Sequence, residues 1–476
     1  MSSKIFRILG VPLILVSLWS SAFGQEREKL SLQEAVDTAL QLNRELEAAQ
    51  HGERAAHYGI WEARSLYLPQ ISFQGDVSKS QTDLFENQGA TPTLPPPFDT
   101  LFDFDFGSFG FTGTNYNNHL QFTQLLFDRT VIGNIKLAHL REEAANMQLV
   151  GQKQQVVFGA VAAFIDILRA QELLGVQQQR LALAEKQLDT AKTNFEVGLR
   201  IRTDVLRAEL TRSSALRDIV SAEIAVERAQ VALNQVLGIP LDLRHDYDAS
   251  LLSSYNPPAQ SLEKLKNYAS LFDLAEQKNP SIKVASILVD QSEEANRIAK
   301  GEFYPRLSAS GRWGFREQGQ LQFEDEDWSI QAAVEVPIFE GGRKLAKIRR
   351  TREEQYAEAK RYENTIRQVL DAVEQAALTL QEEHRNLDIA LEAETVAHEN
   401  HERFLNLYQE GLADSLDVTQ ALTELVEAQT NVVTTRYGYM RLYAQLLFAL
   451  GIIPADETSY STLDWLAIVQ NQDVTP

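Results

Sequence analysis

"DWSIQAAVEVPIFEGGRKLAKIRR" (residues 327–350) changes its period partway along. From Trp328 to Ile338 every second residue is apolar: Trp328, Ile330, Ala332, Val334, Val336 and Ile338. The interleaved residues are Ser329, Gln331, Ala333, Glu335 and Pro337. A period of two reads as a strand with one apolar face. After Gly341 and Gly342 the apolar residues fall at helical spacing inside a charged run. The fold turns on what covers that apolar face, a protein core or lipid. Alternation alone leaves both open, because a soluble sandwich and a membrane barrel share it.

Met1–Gly24 has the form of a secretory signal. Lys4 and Arg7 precede the apolar run Ile8–Trp19, and Ala22-Phe23-Gly24 supplies the small-residue cleavage site. The run is too short for a lasting membrane anchor, so export is expected. The sequence contains no cysteine, which excludes disulfides and a lipid-bearing cysteine. Two of the 45 Lys and Arg lie in the signal and none of the 66 acidic residues does, leaving 43 − 66 = −23. Nucleic-acid binding calls for the opposite sign. Beyond Gly24 no run of about 18 apolar residues occurs, so no transmembrane helix is expected. A β-barrel stays possible, since its strands give a much weaker signal.

The chain repeats itself. "FEVGLRIRTDVLRAEL" (195–210) aligns with "YQEGLADSLDVTQALTEL" (408–425), and Leu237-Gly238-Ile239 with Leu450-Gly451-Ile452, at one offset of 213. Upstream, "YLPQIS" (67–72) resembles "YPRLS" (304–308) and Asn43 matches Asn279, at an offset of 236. The extra length falls between Ser78 and Asn118, which reads as an exposed loop. The expected organisation is a signal at 1–24, a first repeat at 25–238, a linker at 239–278, a second repeat at 279–452 and a C-terminal segment at 453–476.

Each repeat reads helix, strand, loop, strand, very long helix, break, helix. No proline lies between Pro97 and Pro240 or between Pro337 and Pro454, which favours uninterrupted helix. Helix is expected over about 132–197, 205–237, 343–410 and 417–449. The first of these would span about 100 Å, far more than a globular domain needs. Ala215, Ile219, Ala222, Val226, Ala229, Leu233 and Val236 form a heptad seam, as do Leu181, Ala184, Leu188, Ala191 and Phe195. The matching second-half seam is Ala428, Val432, Thr435, Tyr439, Leu442, Leu446 and Ala449. These seams alone also fit a coiled coil without a cavity. Strands are expected at Gln70–Val77, Asn118–Phe127, Arg306–Phe315 and Trp328–Ile338. Four strands cannot close a barrel around a lumen, whereas three chains would supply twelve.

These residues resemble the TolC-like outer-membrane efflux proteins of Gram-negative bacteria over nearly the whole mature chain. The resemblance rests on the duplicated plan, on "YLPQIS"/"YPRLS", on "VPIFEGGR" (336–343) with its weaker copy "LLFDRT" (125–130), and on "GLRIRTDVLRA"/"GLADSLDVTQA". It implies a mainly α chain with transmembrane β: a homotrimeric twelve-stranded barrel in the outer membrane continuing into a twelve-helix periplasmic tunnel. The apolar face of Trp328–Ile338 would then meet lipid, and Gly341 and Gly342 would turn strand into tunnel. The implied function is a passive exit duct of efflux or type I secretion, docked through a periplasmic adaptor (a membrane fusion protein) to an inner-membrane transporter.

The resemblance also implies a periplasmic gate. Asp417 matches a channel-facing aspartate, and Gln420 stands where a second acid is usual one turn later. Tyr408 and Asp204 match positions that latch neighbouring helix pairs, and Ala413 replaces a basic latch residue two positions after Gly411. Asp417 and Asp204 also follow breaks, where an aspartate commonly caps a helix. His398 and His401 lie one turn apart without a third ligand at metal spacing, so no metal is expected, nor any cofactor. "PPPFDTLFDFDFGSFGF" (95–111) and "FEDEDW" (323–328) read as solvated loops. No catalytic constellation stands out, and an enzyme is not expected. The alternative function is a periplasmic coiled-coil adaptor or structural protein without a pore.

Overall fold

A computed structural model describes residues 29–83, 110–248, 266–318 and 326–453. The expected signal, residues 84–109 of the long first-half segment, the start of "FEDEDW" and the C-terminal segment after Ile453 lie outside the described residues. The elements run α1 (Leu32–Leu42), α2 (Arg44–Ser65), β1 (Gln70–Asp83), β2 (Gly110–Phe127), α3 (Arg129–Glu196), α4 (Arg202–Leu237), α5 (Tyr268–Lys278), α6 (Pro280–Gly301), β3 (Arg306–Gln318), β4 (Glu326–Glu335), α7 (Arg343–Gln409) and α8 (Ser415–Leu450). Helix lengths come in pairs: 11 residues for α1 and α5, 22 for α2 and α6, 36 for α4 and α8. The two long ones have 68 and 67 residues. No described helix is long and apolar enough to cross a membrane.

The chain forms two compact units, each drawing on both halves of the sequence: Ala49–Leu149 with Pro280–Arg367, and Met1–Ala48 with Val150–Asn279 and Gln368–Pro476. The first unit carries the strands. They make one antiparallel sheet in the order β1-β2-β3-β4, so β1 and β4 are open edges. The register places Ile71, Phe122, Gly311 and Ile330 in one row and Phe73, Leu120, Trp313 and Trp328 in the next. The opposite face presents Ser72, Gln121, Arg312 and Ser329. Gly314 is forced by close approach, since a Cβ there would lie 2.1 Å from the Asn118 carbonyl oxygen.

β1 and β2 are longer than the pattern suggested. Ser78–Asp83 pairs with Gly110–Asn115, so part of the expected loop is a hairpin whose Ser, Thr and Gly content hid it. β4 instead stops at Glu335, short of Ile338, because Pro337 has no N–H to give a ladder. The helices of this unit line up α2–α3–α6–α7, tied by Arg64 to His139, Lys136 to Glu294 and Asn296 to the Ile348 carbonyl. The two strand-to-helix corners differ. Before α7 the chain turns through Gly341 and Gly342, both at positive φ (60° and 80°). Before α3 a single residue suffices: Asp128 Oδ1 accepts from the Thr130 N–H at 2.8 Å, and Oδ2 accepts from Arg306 at 2.9 Å. Burial raises the Asp128 pKa, but the Thr130 hydrogen bonds and the Arg306 charge outweigh it, and the carboxyl is held below its ordinary value.

The second unit is helical. α8 is flanked by α3, through Gln187–Thr419, Arg436–Glu172 and stacked Phe158–Phe448, and by α7, through His384–Tyr439 and Asn400–Glu424. α4 packs against α3, held by Arg180–Asp218, and also touches α8. The order is therefore α4–α3–α8–α7, again with two open edges. The seams reflect it. Ala428, Val432, Tyr439 and Leu446 on α8 are buried, whereas on α4 only Ala215 and Leu233 of the expected seam are. Phe195, expected in a seam, is exposed.

One joint occurs twice in this unit. Asn43 Nδ2 donates to the Val236 carbonyl at 2.9 Å, and Asn279 Nδ2 donates to the Ala449 carbonyl at 2.8 Å. Each asparagine ends a short helix beside the left-handed glycine that ends α4 or α8, Gly238 or Gly451.

Candidate functional site

The two helix breaks of the helical unit gather the polar residues singled out by the sequence. α3 and α7 each end on a glycine in the left-handed region, Gly198 at φ 79° and Gly411 at φ 82°. The following amides fold back onto the orphan carbonyls, Leu199 N to Asn194 O and Leu412 N to Leu407 O. The apolar residues around these turns face outward: Val197, Leu199, Ile201, Leu412 and Leu416 are exposed, Leu199 and Leu412 each by 74%.

Asp204 and Asp417 are not N-caps. Both sit at the third position of their helices, where a carboxylate still meets the positive end of the dipole. The cap of α8 is Asp414, whose Oδ1 accepts from the Leu416 and Asp417 amides while Asp417 Oδ2 accepts from the Asp414 N–H at 3.1 Å. This is a capping box with aspartate in the usual glutamate place. α4 has Ile201 at its cap and no side-chain bond there.

Tyr408 and Asp204 are brought together within one chain, and both are buried. Burial pushes the Tyr408 phenol up and the Asp204 charge adds to it, while Arg200 opposes. The phenol oxygen has no hydrogen-bond partner among the described residues. Gln420 is exposed and donates to Glu424 Oε1 at 3.1 Å. Glu424 therefore continues the face begun by Asp417 and Gln420, a carboxylate one turn farther along. Its spacing of four from Gln420 was the signal that sequence reading passed over. Arg200, which the sequence offers together with Arg202 as a charge for adaptor docking, is engaged within the chain. Its guanidinium lies 4.6 Å from the Tyr408 ring centroid and donates to the carbonyls of Tyr408 (3.3 Å) and Ala413 (2.6 Å).

His401 is buried and His398 is not. Burial first, then the charges of His398 and Lys186, hold the His401 pKa below its ordinary value. No group of three metal-ligating side chains occurs among the described residues.

A mainly helical chain with two exceptionally long helices, each entered from a strand of one antiparallel sheet, has the fold of outer-membrane channels. The Campylobacter jejuni CmeC outer membrane channel matches it with a TM-score of 0.72 at 17% identity, over 92% of this chain and 89% of that one. The chain belongs to the outer membrane efflux protein family, whose model matches residues 35–239 and 271–452. It is 24% identical to the outer membrane efflux protein BepC of Brucella suis over 91% of this chain and 88% of that protein. It is 23% identical to the outer membrane protein TolC of Escherichia coli over 92% and 86%. Membership places the protein in the outer membrane as an efflux channel.

Proposed function

We propose that three copies of the chain close head to tail into a twelve-stranded barrel and a twelve-helix tunnel, a passive exit duct for efflux or type I secretion. The observation that carries this reading is the sheet. Among the described residues nothing covers its apolar face, with Ile330 81% exposed, and both of its edges are open. In the outer membrane lipid covers that face and the edges pair between copies, which leaves Ser72, Gln121, Arg312 and Ser329 on a wet lumen. The helical layer supports the same closure. α4 exposes Leu206, Leu210, Val220 and Ile224 at one edge, and α7 exposes Leu378, Ile389 and Val396 at the other. Two different edges joined by rotation make a closed ring.

Each chain is an internal duplication on this reading, supported by the paired helix lengths and the twice-used asparagine–glycine joint. The two repeats are 25–238 and 279–452. The exposed apolar turns at Gly198 and Gly411 are the docking end for a periplasmic adaptor, which links the duct to an energised inner-membrane transporter. The chain has no nucleotide-binding motif and acts as a conduit, with no enzymatic role. Asp417, Gln420 and Glu424 line the periplasmic entrance, Tyr408 and Asp204 latch it, and Gly341 and Gly342 make the strand-to-helix corner. A periplasmic coiled coil without a pore would leave the sheet's apolar face in water.

The test is extraction and conductance. The protein should require detergent, run as a heat-dissociable trimer and form channels in planar bilayers. Full solubility as a monomer without detergent would refute it.

A further inference from the structure

We propose that Arg200 is the residue that positions the tunnel entrance, by clamping one helix turn of the chain onto the other. The inference rests on the gate reading above but is carried by separate geometry. α7 has no basic residue in its last turn. The cation that meets its C-terminal carbonyls comes instead from the α3–α4 turn: Arg200 reaches Tyr408 O and Ala413 O and stacks on the Tyr408 ring. A planar guanidinium can serve a ring face and two carbonyls at once, which an ammonium cannot.

The packing beneath the clamp gives it something to hold. Gln187, Tyr408 and Ser415 are almost wholly buried, yet Gln187 Oε1, Tyr408 OH and Ser415 Oγ have no hydrogen-bond partner among the described residues. Buried polar atoms left unpaired favour any movement that admits water to them. The packing between the two turns is thus opposed by its own interior and held by Arg200 from outside. Opening requires the α3–α4 turn to be drawn away, which is what a partner seated on Leu199 and Ile201 would do.

Hydrogen exchange on the full-length protein in detergent tests this, alongside conductance. Arg200→Ala should speed exchange of the amides of residues 410–413 about tenfold, the loss expected from one charge-assisted bond. Exchange in Val432–Leu446 of α8 should not change, and single-channel conductance should rise. Arg200→Lys should restore part of the protection, since it keeps the charge and loses the stack. Unchanged exchange at 410–413 in Arg200→Ala would overturn the clamp, and so would loosening spread evenly through α8. If Arg200→Ala does not fold, full protection in Arg200→Lys would equally overturn it, because a stacked fork would not be needed. If the wild-type protein forms no channel, the duct reading fails while the exchange result still decides the clamp.

Discussion

Glycine and aspartate set the local geometry of this chain. Gly198 and Gly238 both adopt left-handed backbone, but they differ in their surroundings. A Cβ at Gly238 would lie 2.3 Å from the Leu42 carbonyl oxygen, whereas nothing lies within 4 Å of one at Gly198. Gly198→Ala should therefore cost only the left-handed penalty, about 1–2 kcal/mol. Gly238→Ala should cost clearly more, because backbone must also move. Thermal dissociation of the purified trimer checks the order; equal losses would mean that the Asn43 joint is soft. The glycines themselves were legible from the repeat. Which of them faces a wall was not, since Leu42 lies far away in sequence.

At the scale of elements the period of two identified β4 and left its covering undecided. Val334 lies on the apolar face and Ser329 and Gln331 on the other. Val334→Arg should cost about 2–4 kcal/mol if that face meets the middle of a bilayer. Ser329→Arg and Gln331→Arg should assemble almost normally. Trimer recovered from outer membranes is the measure, and equal yields for all three would count against the face assignment. The α3–α7–α8 packing has its own signature in pH. His401 is buried near Lys186, His398 and Glu402, with its pKa below the ordinary 6.5. The unfolded chain then takes up its proton more readily than the folded one. Stability from this site is complete above about pH 6.5 and falls as the pH drops toward the lowered value. Melting temperature should decline on acidification, and His401→Gln should remove part of that slope.

For the whole molecule, symmetry multiplies single residues. In a trimer Asp417 and Glu424 each occur three times about one axis, and a narrow passage focuses their field on passing cations. Both carboxylates are partly engaged, Asp417 by the Asp414 amide and Glu424 by Gln420 and Asn400, so the two should share the selectivity. Asp417→Ala should lower cation preference in planar bilayers modestly, and the double change with Glu424→Ala should lower it further. If neither alters selectivity or block by multivalent cations, the constriction lies elsewhere. Docking separates the two arginines near the first turn. Arg200 is engaged within the chain, while Arg202 is exposed and makes no ion pair among the described residues. Arg202→Glu should weaken adaptor cross-linking without loosening the trimer; unchanged cross-linking would move the docking site away from this turn.

The sequence by itself determined the periodicities: four strands, helices of great length, breaks at Gly198 and Gly411, and a corner at Gly341 and Gly342. Those follow from local sterics, from the rarity of proline and from burial patterns that repeat along the chain. Only the tertiary structure decided which elements are neighbours. It placed α8 between α3 and α7 and left α4 at an edge, so that matching seams of the two halves are buried to different degrees. It also made Asp414 rather than Asp417 the cap, and brought Arg200 to carbonyls 208 and 213 residues away. A side chain's periodicity is written in its own neighbourhood of the sequence. Its partner across a seam is fixed by chain topology and by which carbonyls the helix ends leave unpaired, and neither is local.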